Sequence, residues 1–170
     1  MRMPCLVRWP GQVPAGSASD ELCTMMDWLP TLAKLAGAEP PRDRIVDGSD
    51  IRPLLFGEAG AISHYDDVGF YYYMMGQLQA VRAGPWKLYL PLEQKILNLQ
   101  RQQVKFPVLL YDVRKDPGET KECSAEHPEV AVRLTALAEK ARADLGDEGR
   151  EGKNQRPAGL AAHPKPQRMQ

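Results

Sequence analysis

The chain has 170 residues, enough for one domain of ordinary size or a small domain with additional pieces. Hydrophobic residues are 43% of the total and charged residues 26%, the composition of a soluble, partly globular chain. Lys plus Arg equals Asp plus Glu at 22 each, so the formal net charge is zero. That balance excludes a general electrostatic attraction to nucleic acid or to an anionic membrane, and it gives little colloidal protection.

No apolar run approaches the roughly 18 residues that span a bilayer, so no membrane span is expected. Met1-Arg2 leads into a segment containing Pro4 and Trp9, which does not read as a signal peptide. Localisation is therefore left open. Cys5, Cys23 and Cys123 are odd in number and widely spaced, unlike a disulfide framework or a zinc site.

In chain order, residues 5–9 (Cys-Leu-Val-Arg-Trp) read as a short apolar strand closed by Pro10-Gly11. A strand this apolar belongs inside a sheet covered on both faces, and its neighbours have to come from elsewhere. A polar loop leads to a helix expected over 27–36, with Asp27 as N-cap, Pro30 in the first turn and Gly37 as the stop. Leu29, Leu32, Ala33 and Leu35 or Ala36 give that helix one apolar face. The turn signal Asp47-Gly48 and a cap at Ser49 or Asp50 precede a short helix over 51–56.

From residue 68 the pattern changes to strands. These are expected at 68–74, 78–82, 86–90 and 108–112, joined by turns into an antiparallel meander. In the second, Leu78, Ala80 and Arg82 alternate with Gln79 and Val81. In the third, Trp86, Leu88 and Leu90 share one face, with Lys87 and Tyr89 on the other. Residues 128–145 carry the longest helical pattern, with Val130, Leu134, Leu137, Ala138 and Ala141 on one stripe. Pro128 and Glu129 suit its start and Gly146 its end. This helix is expected to cover the sheet. The rest of the chain is polar and rich in Gly and Pro, and reads as a flexible tail.

Three segments resemble a known family. Arg2-Met3-Pro4, running into Trp9-Pro10-Gly11, is similar to the formylglycine-dependent sulfatase segment in which Glu-Gly-Gly-x-Arg-x-Pro leads to a strand ending Trp-Pro-Gly. Met1 takes the x position. Asp27-Trp28-Leu29-Pro30-Thr31, with Asp47-Gly48-Ser49-Asp50-Ile51 after it, resembles the family's Asp-x-x-Pro-Thr helix and following turn. Ala80-Val81-Arg82-Ala83-Gly84-Pro85-Trp86-Lys87, with Leu110-Tyr111-Asp112 and Asp116-Pro117-Gly118-Glu119, looks like the family's Ala-Val-Arg-x-Gly-x-x-Lys strand pair and Asp-Pro-x-Glu turn. Asp-Pro-Gly-Glu alone is an ordinary turn, but the three segments stand in family order. Bacterial arylsulfatase-like members fit best.

The resemblance implies an α/β fold that is α+β locally. Residues 1–60 are the end, or remnant, of the large alkaline-phosphatase-like sulfatase domain. Residues 61–146 are a carboxy-terminal subdomain, a four-stranded antiparallel sheet packed on the helix at 128–145. Residues 147–170 are a tail. It implies a sulfuric ester hydrolase family that uses calcium and a formylglycine made from a cysteine in a Cys-x-Pro-Ser-Arg-like motif. None of Cys5, Cys23 and Cys123 has that context. The family's catalytic motifs map ahead of Met1, so catalytic, cofactor and metal residues in this chain are read as none, and the chain alone as inactive. The alternative is a non-catalytic docking module that complements a separate amino-terminal sulfatase half or binds another partner, with self-association through apolar surface as a further outcome.

Structural readings then come first for the polar residues. Arg2 pairs with acidic groups of the parent domain. Asp27 is a helix cap and not a metal ligand. His64 is a solvated loop histidine. Met25-Met26 is core or helix-entry packing, and Tyr71, Tyr72 and Tyr73 are sheet packing. Arg82 and Lys87 lie on solvated sheet faces. Lys95, Arg101 and Lys105 belong to an inserted loop between the third and fourth strands.

Overall fold

The computed structural model describes residues 3–91 and 107–155. Four helices and four strands follow in the order α1 (Trp28–Leu35), α2 (Arg52–Leu55), α3 (Tyr65–Val68), β1 (Phe70–Met74), β2 (Gln77–Ala83), β3 (Trp86–Tyr89), β4 (Leu109–Asp112) and α4 (Pro128–Leu145). A single 3-10 turn, Met25–Asp27, leads into α1. The strands form one antiparallel sheet in the order β1-β2-β3-β4, so each pairs with its neighbour in sequence.

The core lies between this sheet and α4. Leu134, Leu137, Ala138 and Ala141 come from the helix at three- and four-residue steps. They meet Leu78, Val81, Ala83, Leu88, Leu90 and Leu110 from the sheet side, with Cys123 beside them. Val130 and Trp86 close the margin. The helix and its apolar stripe stand where the sequence places them. Its C-terminus is held by Asp147, which accepts from Arg142 Nε at 2.6 Å and from Leu78 N–H at 2.9 Å. Residues 147–155, read from sequence as the start of a tail, turn back onto α4. There Lys153 N–H donates to Ala143 C=O and Asn154 N–H to Asp144 C=O.

The expected alternation in β2 is not what forms. The register steps from Tyr72↔Ala80 to Tyr73↔Leu78, which leaves Gln79 as an extra residue in β2. A bulge moves every later side chain to the opposite face. Leu78 therefore shares the helix-facing core with Val81 and Ala83, while Ala80 is buried but stands outside that core.

The front of the chain departs further from expectation. Residues 5–9 form no strand, because no ladder partner exists for them among the described residues, and Leu6 is 96% exposed. α1 forms, and Leu29 and Leu32 on its apolar face are exposed, as are Met25 and Met26, read as core or helix-entry packing. What α1 buries is Pro30 and Thr31. The Thr31 hydroxyl donates to Asp27 C=O at 2.6 Å and accepts from Ile51 N–H at 3.0 Å, so this contact is polar. Gly48 fits against the turn before α1 so closely that a Cβ there would lie 2.0 Å from Met26 O. That approach needs glycine.

Candidate functional site

Two polar constellations organise the described residues. The first is built on Asp27, which is fully buried. Thr24 opens the 3-10 turn as its N-cap, and Asp27 is the reciprocal partner in a capping box, a pairing that satisfies two donors at once. One carboxylate oxygen, Oδ2, accepts from Thr24 N–H at 2.6 Å and from the Thr24 hydroxyl at 3.2 Å. The other, Oδ1, accepts from Ser49 N–H at 2.9 Å and from Tyr65 OH at 3.0 Å. Burial, more than any neighbouring charge, pushes the Tyr65 phenol up to about 12, so it remains a donor.

Asp27 does cap, as the sequence suggests, but for the 3-10 turn: it makes no side-chain cap bond to α1 itself. Its larger role is to join the entry to α1, the loop at 47–51 and α3. Ser63 and Glu21 extend the same tie. Ser63 donates to Leu22 C=O at 2.6 Å, and its N–H donates to Glu21 Oε2 at 3.0 Å. Glu21 Oε1 meets Arg114 Nη2 at 3.0 Å, bringing the front of the chain onto the loop after β4.

The second constellation lies on the sheet face away from α4. Lys87 was expected in solvent. Instead its Nζ lies 2.7 Å from Glu119 Oε1 and donates to Tyr89 OH at 2.6 Å, with its side chain only 15% exposed. Tyr89 OH in turn donates to Glu119 Oε2 at 2.6 Å. The Lys87 ammonium sits 4.4 Å from the Tyr89 ring centroid and 5.1 Å from that of Tyr72, within cation–π range. Burial works against both charges, but the hydrogen bonds outweigh it. They hold the Lys87 ammonium above its ordinary value and the Glu119 carboxyl below its own.

Glu119 reaches this position through a left-handed backbone, φ +54°, a conformation that costs a non-glycine residue about 1 kcal/mol or more. The turn before it is braced by Asp116, whose Oδ2 accepts from Thr120 and Lys121 N–H at 2.6 and 2.8 Å. Sequence reading missed the pairing of Lys87 with Glu119. The available signal was that Lys87 shares a strand face with Tyr89 and that the Asp-Pro-Gly-Glu turn ends in a carboxylate.

The remaining candidates are placed as follows. His64 is exposed and meets the Tyr65 ring edge-on at 5.6 Å, beside a shallow hollow of about 230 Å³ shared with Asp67 and Ser49. Tyr71 packs on the helix-facing core, Tyr72 over Lys87, and Tyr73 donates to Gly146 C=O at 2.8 Å, all three as sheet packing. Arg82 is half-buried, its Nε directed to Gly84 C=O. Arg2, Lys95, Arg101 and Lys105 lie outside the described residues.

No group of three or more His, Cys, Asp or Glu side chains converges among the described residues. The one fully buried carboxylate among the described residues, Asp27, has both oxygens taken by protein donors. These residues do not fit a calcium site. Cys123 is buried and bonded to Leu110 C=O, and Cys23, its thiol raised to about 11 chiefly by burial, is no activated nucleophile. No helix among the described residues is long and apolar enough to cross a membrane.

The family model for the carboxy-terminal region of N-sulphoglucosamine sulphohydrolase matches residues 1–144. The chain belongs to the sulfatase family. Its resemblance covers the carboxy-terminal part. Mouse (Mus musculus) steryl-sulfatase is 35% identical, over 85% of this chain and 26% of the relative. N-acetylgalactosamine-6-sulfatase of the dog (Canis lupus familiaris) is 30% identical, over 82% and 30%.

This sulfatase chain thus spans between a quarter and a third of the length of those relatives. Among solved structures, Ps i-CgsB superposes with a TM-score of 0.60 at 24% identity, over 78% of this chain and 27% of that one. A second protein, solved with its substrate D-glucosamine-2-N,6-O-disulfate, gives 0.55 at 24%, over 79% and 27%. Both share the mixed α/β fold of the sulfatases, of alkaline-phosphatase-like architecture.

Proposed function

We propose that the chain serves as the carboxy-terminal part of a sulfuric ester hydrolase and contributes structural closure, with the catalytic centre supplied by other sulfatase sequence. In this reading residues 1–60 complete the large domain and residues 61–146 form the attached sheet subdomain. Calcium and the formylglycine nucleophile belong to that other sequence.

One observation carries the reading: the front segment exposes large apolar side chains and lacks a buried apolar core of its own among the described residues. The sheet and α4 bury their own core, whereas Met3, Leu6, Trp9, Met25, Leu29 and Leu32 of the front segment are all exposed. A concentration of large apolar side chains on one segment marks a surface that packs against further protein. A family match over residues 1–144, in relatives three to four times longer, supplies the chemistry of that protein.

The test is an assay of the purified chain on a chromogenic aryl sulfate with calcium, alone and mixed with the amino-terminal portion of a sulfatase. Turnover is expected only in the mixture, or in a protein that joins the two parts. Turnover by the chain alone, abolished by replacing one of its own residues, rejects the reading. If activity never appears but the chain still binds the amino-terminal portion, the chain is a docking module without a part in catalysis.

A further inference from the structure

The sheet has two edges, and they are finished differently. On β4 the central residue Leu110 turns its backbone away from β3. Its N–H donates to Glu122 Oε1 at 3.1 Å. Its C=O accepts from Cys123 N–H at 3.0 Å and from the Cys123 thiol at 3.3 Å. The chain thereby covers this edge with its own Glu122-Cys123 segment.

β1 has no such cover. Among the described residues, no hydrogen bond beyond the ladder with β2 reaches the backbone of Phe70–Met74. The tyrosine hydroxyls of the strand donate elsewhere, Tyr71 to Val68 C=O and Tyr73 to Gly146 C=O. β1 also lacks the devices that keep edges apart: a charge, a proline or a bulge of its own. Its sequence is Phe-Tyr-Tyr-Tyr-Met, and the extra residue of the irregular pair lies in β2. A regular, uncharged strand with a free row of N–H and C=O groups is complementary to another strand.

We propose that β1 is a homotypic docking edge, through which two copies of the chain pair antiparallel across a two-fold axis at Tyr72. The two four-stranded sheets then become one. A two-fold axis there sets Tyr72 opposite Tyr72, Tyr71 opposite Tyr73, and Phe70 opposite Met74. Every cross-strand pair is aromatic or apolar, the class that stabilises antiparallel ladders. The strand Phe70–Met74 carries no charged residue, so no like charges face each other across the ladder. The chain's zero formal charge sets no long-range repulsion against a second copy.

The side chains continue the match. Phe70 and Tyr72 meet edge to face at 4.9 Å on the outer sheet face. Symmetry brings the same two rings of the second copy alongside them, in the self-complementary manner of an isologous contact. A five-residue ladder is a small interface, so the expected dissociation constant is on the order of 10 µM or weaker.

The test uses the whole chain with Cys5→Ser and Cys23→Ser as background, in sedimentation equilibrium up to about 200 µM. The expected mass rises toward twice 19.0 kDa with concentration. Met74→Lys, at a position 63% exposed in the single copy, places a cation on the edge and is expected to weaken association by about tenfold or more. Tyr72→Cys, on the axis, is expected to give a disulfide-linked dimer with oxidised glutathione. Met74→Cys, which faces position 70 of the other copy, is expected to give little.

A monomer at every concentration overturns the proposal. So does association that Met74→Lys leaves intact, or cross-linking that is equal at positions 72 and 74. Either result would assign the contact to the apolar front segment instead. Because this test needs no sulfatase partner, its outcome is separate from that of the proposed function.

Discussion

Lys87 and Glu119, from two segments 32 residues apart, meet at 2.7 Å on the sheet face opposite α4, with Tyr89 bonded to both. The pair ties β3 to the turn after β4. Both side chains are mostly enclosed, so breaking the pair leaves an under-solvated charge behind. Glu119→Ala is expected to cost about 2 kcal/mol in urea unfolding. Glu119→Gly is expected to cost less, by about 1 kcal/mol, because glycine accepts the left-handed backbone that alanine resists. Equal losses for the two variants would show that the backbone at 119 carries no strain.

Asp27 offers a sharper test. Asp27→Ala leaves Thr24 N–H and Ser49 N–H without their acceptor and takes away one of the two partners of the Tyr65 hydroxyl. The expected loss is about 3 kcal/mol or more, with the folded population falling correspondingly. Tyr65→Phe removes two bonds of the same network, to Asp27 and to the Thr24 hydroxyl, and is expected to cost about 1–2 kcal/mol. A double-mutant cycle between the two positions should show coupling of about 0.5 kcal/mol or more. Additive losses would mean that the two groups do not share a network.

The acid limb of stability follows from carboxylates held below their ordinary values. Burial opposes the charge on Glu119 and Asp147, but hydrogen bonds from Lys87 and Tyr89 in one case, and from Leu78 N–H and Arg142 in the other, reverse its effect. A depressed folded value means that the stabilisation is complete above the unfolded values, 4.5 and 3.8, and fades as pH falls through the folded ones. Stability is thus expected to hold from pH 7 to about pH 5 and to drop below that. Glu119→Gln combined with Asp147→Asn should flatten the drop.

Asp66 works in the opposite direction. Burial raises its carboxyl, and the nearby Glu21 charge adds to the effect. Its protonated form is favoured by folding, so it adds stability as pH falls through its raised value. Asp66→Asn is therefore expected to make the acid loss steeper, measured by urea titrations across pH. An unchanged slope would exclude Asp66 as a contributor.

At the core, Leu134 is fully buried between α4 and the sheet. Leu134→Ala should cost about 2–5 kcal/mol by loss of transfer energy and the cavity it leaves. Leu145→Ala, on the same helix but 37% exposed, should stay within about 1 kcal/mol of the parent.

The sheet and its covering helix were legible in the sequence because their signals are local. Alternation marks β3, Ala83-Gly84-Pro85 marks a turn, and the stripe from Val130 to Ala141 marks α4. What escaped depends on contacts that sequence periodicity does not encode. The bulge at Gln79 changes the phase of β2 without any glycine to announce it. α3 is a single turn, too short for a period. Residues 5–9 have the composition of a strand, but a strand needs a ladder, and no described segment pairs with them. The apolar face of α1 was legible from the spacing of Leu29 and Leu32, and both are exposed. The two polar constellations were seen only as separate residues: Asp27 as a cap, Lys87 as a solvated cation. Their partners, Tyr65 and Glu119, are 38 and 32 residues away.

The position of α4 at the end of the subdomain has a consequence for synthesis. The meander pairs neighbour with neighbour, so its hairpins can close while the nascent chain is still emerging. The helix that covers Leu78, Val81, Leu88 and Leu110 leaves the ribosome only after all four strands. Until then the sheet presents its greasiest surface together with an unguarded β1. Ribosome-proximal chaperones, or slower elongation before residue 128, would have their largest influence on yield in that interval.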